Sequence, residues 1–96
     1  MSYGVIFTVS APITEYDAIH AEASQHPADG LIMHLVREVD GGFQIIEVWE
    51  SKVQHDRYGD EVLAPIVARL AGADAEPPPS EEFDVHTLVI TSAVIG

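Results

Sequence analysis

The sequence predicts an α+β fold of the βαββαβ type, in which a four-stranded antiparallel sheet carries two helices on one face. Two observations lead to this prediction. Hydrophobic periodicity divides the chain into strand, helix and strand, and then into strand, helix and strand again; two such units normally assemble with the spatial strand order 4-1-3-2. The length of 96 residues, 47% of them hydrophobic and 21% charged, suits one folded domain over residues 1–96.

The first strand and the first helix follow from local residue preferences. Residues 3–10 are rich in β-branched and aromatic side chains and are followed by an Ala-Pro dipeptide, which is typical of a strand and a break. Thr14 is a suitable N-cap, and acidic residues follow it in the first turn, where the helix dipole favours them. We expect this helix to run to about Gln25.

A hairpin and a second helix occupy the middle of the chain. Residues 31–39 and 43–50 have strand character and flank Asp40-Gly41-Gly42, a strong hairpin signal. Ser51 is predicted to cap a helix that reaches about Ala71, with Gly72 as its stop and Pro65 as a kink or a division within it. The remaining elements are an acidic, proline-rich loop over 73–82, a last strand over 83–91 and a tail over 92–96 that prolongs it.

The charge balance narrows the classes of partner. Sixteen acidic and four basic residues give a net charge of −12, spread along the chain, which repels nucleic acids and anionic membrane surfaces. The chain has no cysteine, so disulfides and thiolate chemistry are excluded. No apolar run approaches the length of a membrane span, and no signal peptide is recognisable. We expect a soluble, cytoplasmic protein.

Alternation along the hairpin predicts which side chains share a face of the sheet. With His34 opposite Trp49 and Leu35 opposite Val48, the side chains of Trp49 and Glu47 lie on the face of His34. We expect the helices to cover the Leu35 face and to leave the His34 face bare. The bare face also carries three apolar side chains, namely Ile32, Val36 and Ile45.

A bare apolar face has a consequence for assembly. Monomers rarely expose a contiguous apolar patch larger than on the order of several hundred Å². Burial against a second copy gains roughly 25 cal/mol per Å² before the costs of association. We therefore predict a homodimer in which the open sheet faces pack together.

Three segments carry a family resemblance: Gly30-Leu31-Ile32-Met33-His34, the Asp40-Gly41-Gly42 turn, and Val48-Trp49-Glu50-Ser51 ahead of a helix. They resemble the dimeric α/β-barrel superfamily, which includes the antibiotic-biosynthesis monooxygenase-like domains, and the element order extends the resemblance over essentially the whole chain. It implies a ferredoxin-like protomer, a dimeric α/β barrel and a pocket in each protomer. Members of the superfamily include cofactor-free oxygenases of polycyclic phenols, heme-degrading enzymes, muconolactone isomerases and polyketide cyclases, and the fold alone does not choose among them.

Departures from the active subfamilies are informative. The chain contains no asparagine, whereas the anthrone-type oxygenases and the heme degraders resemble each other in using one in the pocket. Heme degraders also place a tryptophan and an iron-binding histidine in the second helix. Tyr58 and Ala68 stand at similarly spaced positions here, which argues against heme degradation.

His34 and Glu47 are the candidate catalytic residues. A histidine that titrates near neutrality can remove a phenolic or enol proton, and a carboxylate in an apolar pocket can act as a general acid or base. The two side chains could equally form a structural buried pair. Trp49 could stack on a planar ligand and donate its N–H, or it could simply fill the core.

Further candidate binding residues are Tyr58, at the mouth of the pocket, and His86, on the last strand, together with Ile32, Val36 and Ile45. Imidazoles and a carboxylate suit zinc or iron, so His34, Glu47 and His86 invite a metal site. Strand order places His34 and His86 on opposite edges of the sheet, three strand spacings of roughly 4.8 Å apart. We therefore predict neither a metal nor a cofactor.

These observations predict a domain that binds a small, apolar, aromatic or polyketide-type molecule. As an enzyme it would perform cofactor-independent, monooxygenase-like oxygenation or a related proton transfer, in which His34 or Glu47 takes a proton and Trp49 holds the ring. The alternatives are a non-catalytic ligand-binding dimer and a structural dimerisation module whose barrel is filled by its own side chains.

Overall fold

The computed structural model describes residues 2–91, and the predicted βαββαβ order is confirmed. The helical region after the third strand is divided in two by a π-helical turn over Gly59–Leu63. The elements are β1 (Tyr3–Val9), α1 (Ile13–Ala23), β2 (Leu31–Val39), β3 (Gly42–Trp49), α2 (Lys52–Tyr58), α3 (Ala64–Ala71) and β4 (Ser80–Asp84). The four strands are antiparallel in the order β2-β3-β1-β4, which is the predicted 4-1-3-2 read from the other edge.

The hairpin turn is one residue shorter than predicted, because Gly42 belongs to β3. Val39 pairs with Gly42, which leaves a two-residue turn, and Gly41 takes a φ of 81° there. A Cβ atom on Gly42 would collide with the carbonyl oxygen of Val9, so this position requires glycine. The tight turn moves the register by two residues, and His34 lies opposite Glu47 rather than Trp49.

By the same shift, Leu35 lies opposite Ile46 rather than Val48. The register of β2 and β3 is also interrupted near the start of β2. Leu31 pairs with Trp49 and Met33 with Val48, so Ile32 is the extra residue of a β-bulge. A bulge reverses the alternation of side chains beyond it. For that reason Leu31, rather than Ile32, joins the face of Trp49.

The prediction of the bare face was wrong. The side chains of Trp49 and Glu47 share their face with His34, as expected, but this is the face that the helices cover. The Trp49 ring lies 5.4 Å from that of Tyr58, and the Phe43 ring lies 5.7 Å from that of Tyr16 on α1. Both sets of side chains are apolar, and the helices bury the set with the larger aromatic rings.

The buried core accordingly lies between the sheet and the helices. Trp49 is 0% exposed and Val5 1%, and Phe43 and Ile66 are also buried. The opposite, open face carries Leu35, which is 45% exposed. None of the helices that the structure describes combines the length and the apolar character that crossing a bilayer would require.

The helix boundaries agree with the predicted signals in part. The hydroxyl of Ser51 accepts a hydrogen bond from the backbone N–H of Gln54, so it caps α2 as predicted, and Gly72 ends α3 with a φ of 98°. Thr14 does not cap α1, which begins after Pro12. The π-helical turn ends two residues before Pro65. In a regular helix the proline ring would collide with the carbonyl group four residues earlier.

The last strand is displaced toward the N-terminus relative to the prediction. It covers Ser80–Asp84, so part of the predicted loop is strand, and residues 85–91 are not. Prolines lack the N–H that a strand ladder needs, and the strand begins directly after the three of them. Its pairing ends at Asp84 because that residue lies opposite Tyr3, the first residue of β1. The predicted extension over 92–96 lies outside the described residues.

Candidate functional site

A cavity of about 690 Å³ lies between the sheet and the helices. Its walls are mainly apolar and come from every layer of the fold. The sheet contributes, among others, Phe7, Phe43 and Ile45; the helices contribute Ile19, Leu63 and Val67; and the proline-rich loop contributes Glu76, Pro77 and Pro78. This volume suits a drug-sized organic molecule. The cavity lies on the face of the sheet that the helices cover, whereas the pocket was predicted on the open face.

A chain of hydrogen bonds enters this cavity from the sheet, and Glu47 is its buried end. The indole N–H of Trp49 donates to Oε1 of Glu47 at 3.1 Å, and Nδ1 of His34 lies 2.6 Å from Oε2. An ionised carboxylate can only accept hydrogen bonds, so Nδ1 of His34 carries the proton. The other ring nitrogen, Nε2, is then left as an acceptor, which is the state a general base requires.

The series of hydrogen bonds continues through side chains of α1. The hydroxyl of Tyr16 lies 2.7 Å from Nε2 of His34 and donates to it, and Nδ1 of His20 lies 3.3 Å from the same hydroxyl oxygen. In each hydrogen bond of the series from His20 to Glu47, the residue nearer His20 can therefore be the donor and the residue nearer Glu47 the acceptor. Glu47 is 8% exposed, the His34 side chain is 27% exposed and His20 is exposed, so the series runs from the core to the surface.

Local structure places each of these groups. Glu47 and Trp49 are two residues apart on β3 and therefore point to one side of the sheet. Tyr16 and His20 are one helical turn apart on α1 and therefore share a helix face. Packing of that face over His34 stacks the three rings, with centroids 5.3–5.9 Å apart.

Comparison with known proteins identifies the fold. A conserved protein from Methanosarcina mazei superposes with a TM-score of 0.67 at 12% identity, over 86% of this chain and 91% of its own. A variant of SnoaB, a cofactor-independent oxygenase from Streptomyces nogalater, gives 0.55 at 20% identity over 92% and 94%. A Caulobacter crescentus protein designated an antibiotic biosynthesis monooxygenase gives 0.65 at 14% identity over 90% and 91%.

This chain has the ferredoxin-like fold of the antibiotic biosynthesis monooxygenase-like proteins. No protein-family model and no curated protein matches the sequence. At these identities the likeness concerns the fold, and the chemistry of an antibiotic biosynthesis monooxygenase-like fold has to be argued from the side chains in its cavity.

Some of the predicted site residues meet in the cavity of this fold. His34 and Glu47 line it and contact each other, and Ile45 and Tyr58 line it beside them. Trp49 is fully buried and reaches the site through its hydrogen bond to Glu47. The indole therefore supports the carboxylate and fills the core. Of the two interpretations of Trp49, this position corresponds to core filling rather than to stacking on a ligand.

Four predicted binding residues are not in the lining, namely Trp49, Ile32, Val36 and His86. Ile32 is the bulge residue, and Val36, although it pairs with Ile45, lies farther along the edge strand. His86 is exposed and follows β4 rather than lying within it. Across residues 2–91, no group of three or more histidine, aspartate or glutamate side chains is arranged to hold a metal ion.

Three residues of the site were not predicted. They are Tyr16 and His20 on α1 and His55 on α2. The ring of His55 stacks on Phe7 at 5.8 Å and meets Trp49 edge-on at 5.6 Å, and it also lines the cavity. The spacing of Tyr16 and His20 by four residues was the one available signal, and it showed only that the two share a helix face.

Burial affects the tyrosines of this site. Desolvation, followed by the negative charge of Glu47, raises the pKa of both Tyr16 and Tyr58 above 10. Desolvation and a hydrogen bond with Glu82 raise the pKa of Tyr3 as well. The three tyrosines of the chain are therefore held in the protonated form, which is the form in which Tyr16 donates to His34.

An alkaline titration should reveal this. We expect the native protein to show less tyrosinate absorbance at pH 10 than the unfolded chain, in which about half of the tyrosine is ionised. Because the unfolded chain ionises first, the contribution of the tyrosines to stability is present below pH 10 and is lost as the pH rises through the native pKa values. The same titration in denaturant is the control; coincident native and denatured curves would contradict the prediction.

Proposed function

We propose that the protein binds a small, mainly apolar, aromatic or polyketide-type molecule in the cavity and removes a proton from it, as a cofactor-independent, monooxygenase-like enzyme. One observation carries the proposal: the Glu47–His34–Tyr16 chain, with a fixed histidine tautomer, opens into an apolar cavity of about 690 Å³. A fixed base in a mainly apolar, shaped pocket is what proton abstraction from a weak acid requires.

The proton transfer needs no rearrangement of this chain. A phenol or an enolisable C–H of the ligand gives its proton to the Tyr16 oxygen while the Tyr16 hydroxyl proton passes to Nε2 of His34. The products are the ligand anion, neutral Tyr16 and a His34 imidazolium, which the carboxylate of Glu47 stabilises at 2.6 Å. Ligand and imidazolium then carry opposite charges inside a cavity of low polarity.

Oxygenation can follow from the same anion. An electron-rich carbanion or phenolate transfers one electron to O₂, and the two resulting radicals combine into a peroxide anion. This anion takes back the proton from the His34 imidazolium through Tyr16 and becomes a hydroperoxide. Where the reacting carbon is a CH₂ group, loss of water leaves a carbonyl, so one oxygen atom enters the product and the other leaves as water. The fold shared with SnoaB, a cofactor-independent oxygenase, supports this second step.

Two probes test the proposal. Anthrone reports oxygenation through oxygen uptake and formation of anthraquinone, and a cyclic 1,3-diketone in D₂O reports proton abstraction by NMR. We expect the protein to accelerate exchange at the diketone and to oxidise anthrone. Binding of both probes without acceleration would favour the non-catalytic ligand-binding alternative, and a cavity that binds neither would favour the structural module.

We further propose that a second copy of the chain covers the open sheet face. Leu35 is 45% exposed on this face and Phe83 36%, and Ile6, Met33 and Ile46 lie between them with intermediate exposure. The patch belongs to the sheet centre as well as to its edges, which suits the self-complementary contact of a two-fold dimer.

The cytoplasmic location stays a prediction.

Sedimentation velocity should show this dimer. We expect the Leu35→Glu variant to shift the protein toward monomers at micromolar concentration, because the substitution buries two carboxylates without partners at the interface. Val53→Glu is the matched control, since Val53 is 65% exposed on α2 and the same charge is added there. A wild-type monomer, or equal weakening by both substitutions, would contradict the dimer.

A further inference from the structure

The charges around the cavity are of one sign. Besides histidines and tyrosines, the ionisable side chains of the lining are three carboxylates, those of Glu15, Glu47 and Glu76. Neither a lysine nor an arginine belongs to the described lining. The lining therefore offers a bound anion no permanent positive charge.

The four basic side chains of the chain are placed elsewhere. Arg69 forms a salt bridge with Glu22, and Lys52 forms one with Asp56 at 3.0 Å. Arg37 donates two hydrogen bonds to Gln44 on the open face of the sheet. The fourth, Arg57, is exposed on α2 and does not line the cavity.

His34 does not replace these cations. An imidazolium at His34 is already paired with Glu47, and in the resting state its Nε2 is an acceptor. An anionic ligand would thus lose its hydration in a mainly apolar cavity without gaining a lysine or arginine as counter-ion, and would approach against the field of a chain of net charge −12.

We infer that the site selects against anionic substrates and takes a molecule without a free carboxylate or phosphate, such as a neutral polyphenol or enolisable ketone. This inference rests on the proposed function and names the substrate class of the same cavity. The charge needed for reaction is then created inside the site, where the ligand anion and the His34 imidazolium arise together.

The inference also constrains the preceding reaction. Polyketide-type chains are built as thioesters on a phosphopantetheine arm, whose phosphodiester is anionic, and hydrolysis of the thioester leaves a carboxylate. The reaction that supplies this substrate must therefore release the chain from its carrier without leaving a free acid, as lactone formation or hydrolysis followed by decarboxylation does.

Binding of unreactive probes tests the inference separately from turnover. Anthraquinone-2-carboxamide and anthraquinone-2-carboxylate have nearly the same shape, differ by one charge and carry no proton for the site to abstract. Quenching of Trp49, the single tryptophan, reports their binding because its indole contacts Glu47 and Tyr58 at the cavity wall. We expect the amide to bind at least about tenfold more tightly than the carboxylate.

Placing a cation in the lining should reverse the preference. We expect Ala68→Lys to tighten binding of the carboxylate by about tenfold or more, whereas the length-matched control Ala68→Gln should leave the order unchanged; circular dichroism verifies the folding of both. A wild-type protein that binds the carboxylate as tightly as the amide would overturn this inference alone. Failure of both probes to bind would overturn the proposed function with it.

Discussion

The His34→Gln variant is expected to lose proton abstraction by about 10²–10⁴-fold, the usual contribution of a general base. Glutamine can still hydrogen-bond to Glu47 and Tyr16, but it cannot take up the proton that His34 accepts at Nε2. The measurement is the rate of deuterium exchange into the diketone probe, with anthrone oxidation as a second readout. His86→Gln is the matched control, because it removes an exposed histidine outside the cavity.

Glu47→Gln should reduce the same rate through the tautomer of His34. The amide nitrogen of glutamine can donate to Nδ1, which favours the tautomer with the proton on Nε2 and so removes the acceptor from the site. Because the two residues act as one unit, the double variant is expected to be little slower than His34→Gln alone. Fully additive losses, or a His34→Gln variant as active as His86→Gln, would contradict this assignment of roles.

The Trp49→Ala variant is expected to lose about 3–5 kcal/mol of unfolding free energy. Trp49 is 0% exposed and packs against His55 and Tyr58, so its removal leaves a cavity at the start of α2. It also leaves Oε1 of Glu47 without its donor. Domains of this size have about 5–15 kcal/mol in total, so the variant should be close to the limit of folding.

Urea unfolding followed by circular dichroism at one protein concentration measures this loss. Trp49→Phe restores most of the buried volume but not the N–H, so it should cost about 1–3 kcal/mol through the unsatisfied carboxylate oxygen. Val53→Ala, at a position 65% exposed, should change the unfolding free energy by less than about 0.5 kcal/mol. If Trp49→Ala is as mild as Val53→Ala, the indole does not have the structural role assigned to it.

Features that depend on local chemistry were predictable from the sequence. The order of the elements follows from periodicity, the start of α2 from the hydroxyl of Ser51 and the end of α3 from Gly72 at positive φ. Alternation also placed Glu47 and Trp49 on one face with His34, because a register shift of two residues preserves the faces of a strand.

Tertiary structure alone decided which face the helices bury. Two apolar sets alternate along the hairpin, and nothing local distinguishes the set of Trp49 from that of Leu35; the choice depends on which set the helices pack against best. The bounds of β4 depended on β1 in the same way, because a strand ends where its partner ends.

The site shows the same division. The sequence determined that His34 and Glu47 belong to neighbouring strands and can share a face, since both facts depend on alternation and a short turn. Only the packing of α1 over β2 brought Tyr16 and His20, 18 and 14 positions away in the sequence, against His34. The fold class was predictable because it depends on hydrophobic periodicity. Hydrogen bonds between distant segments leave no period in the sequence, so the series that joins Glu47, His34 and Tyr16 in the cavity was not predictable.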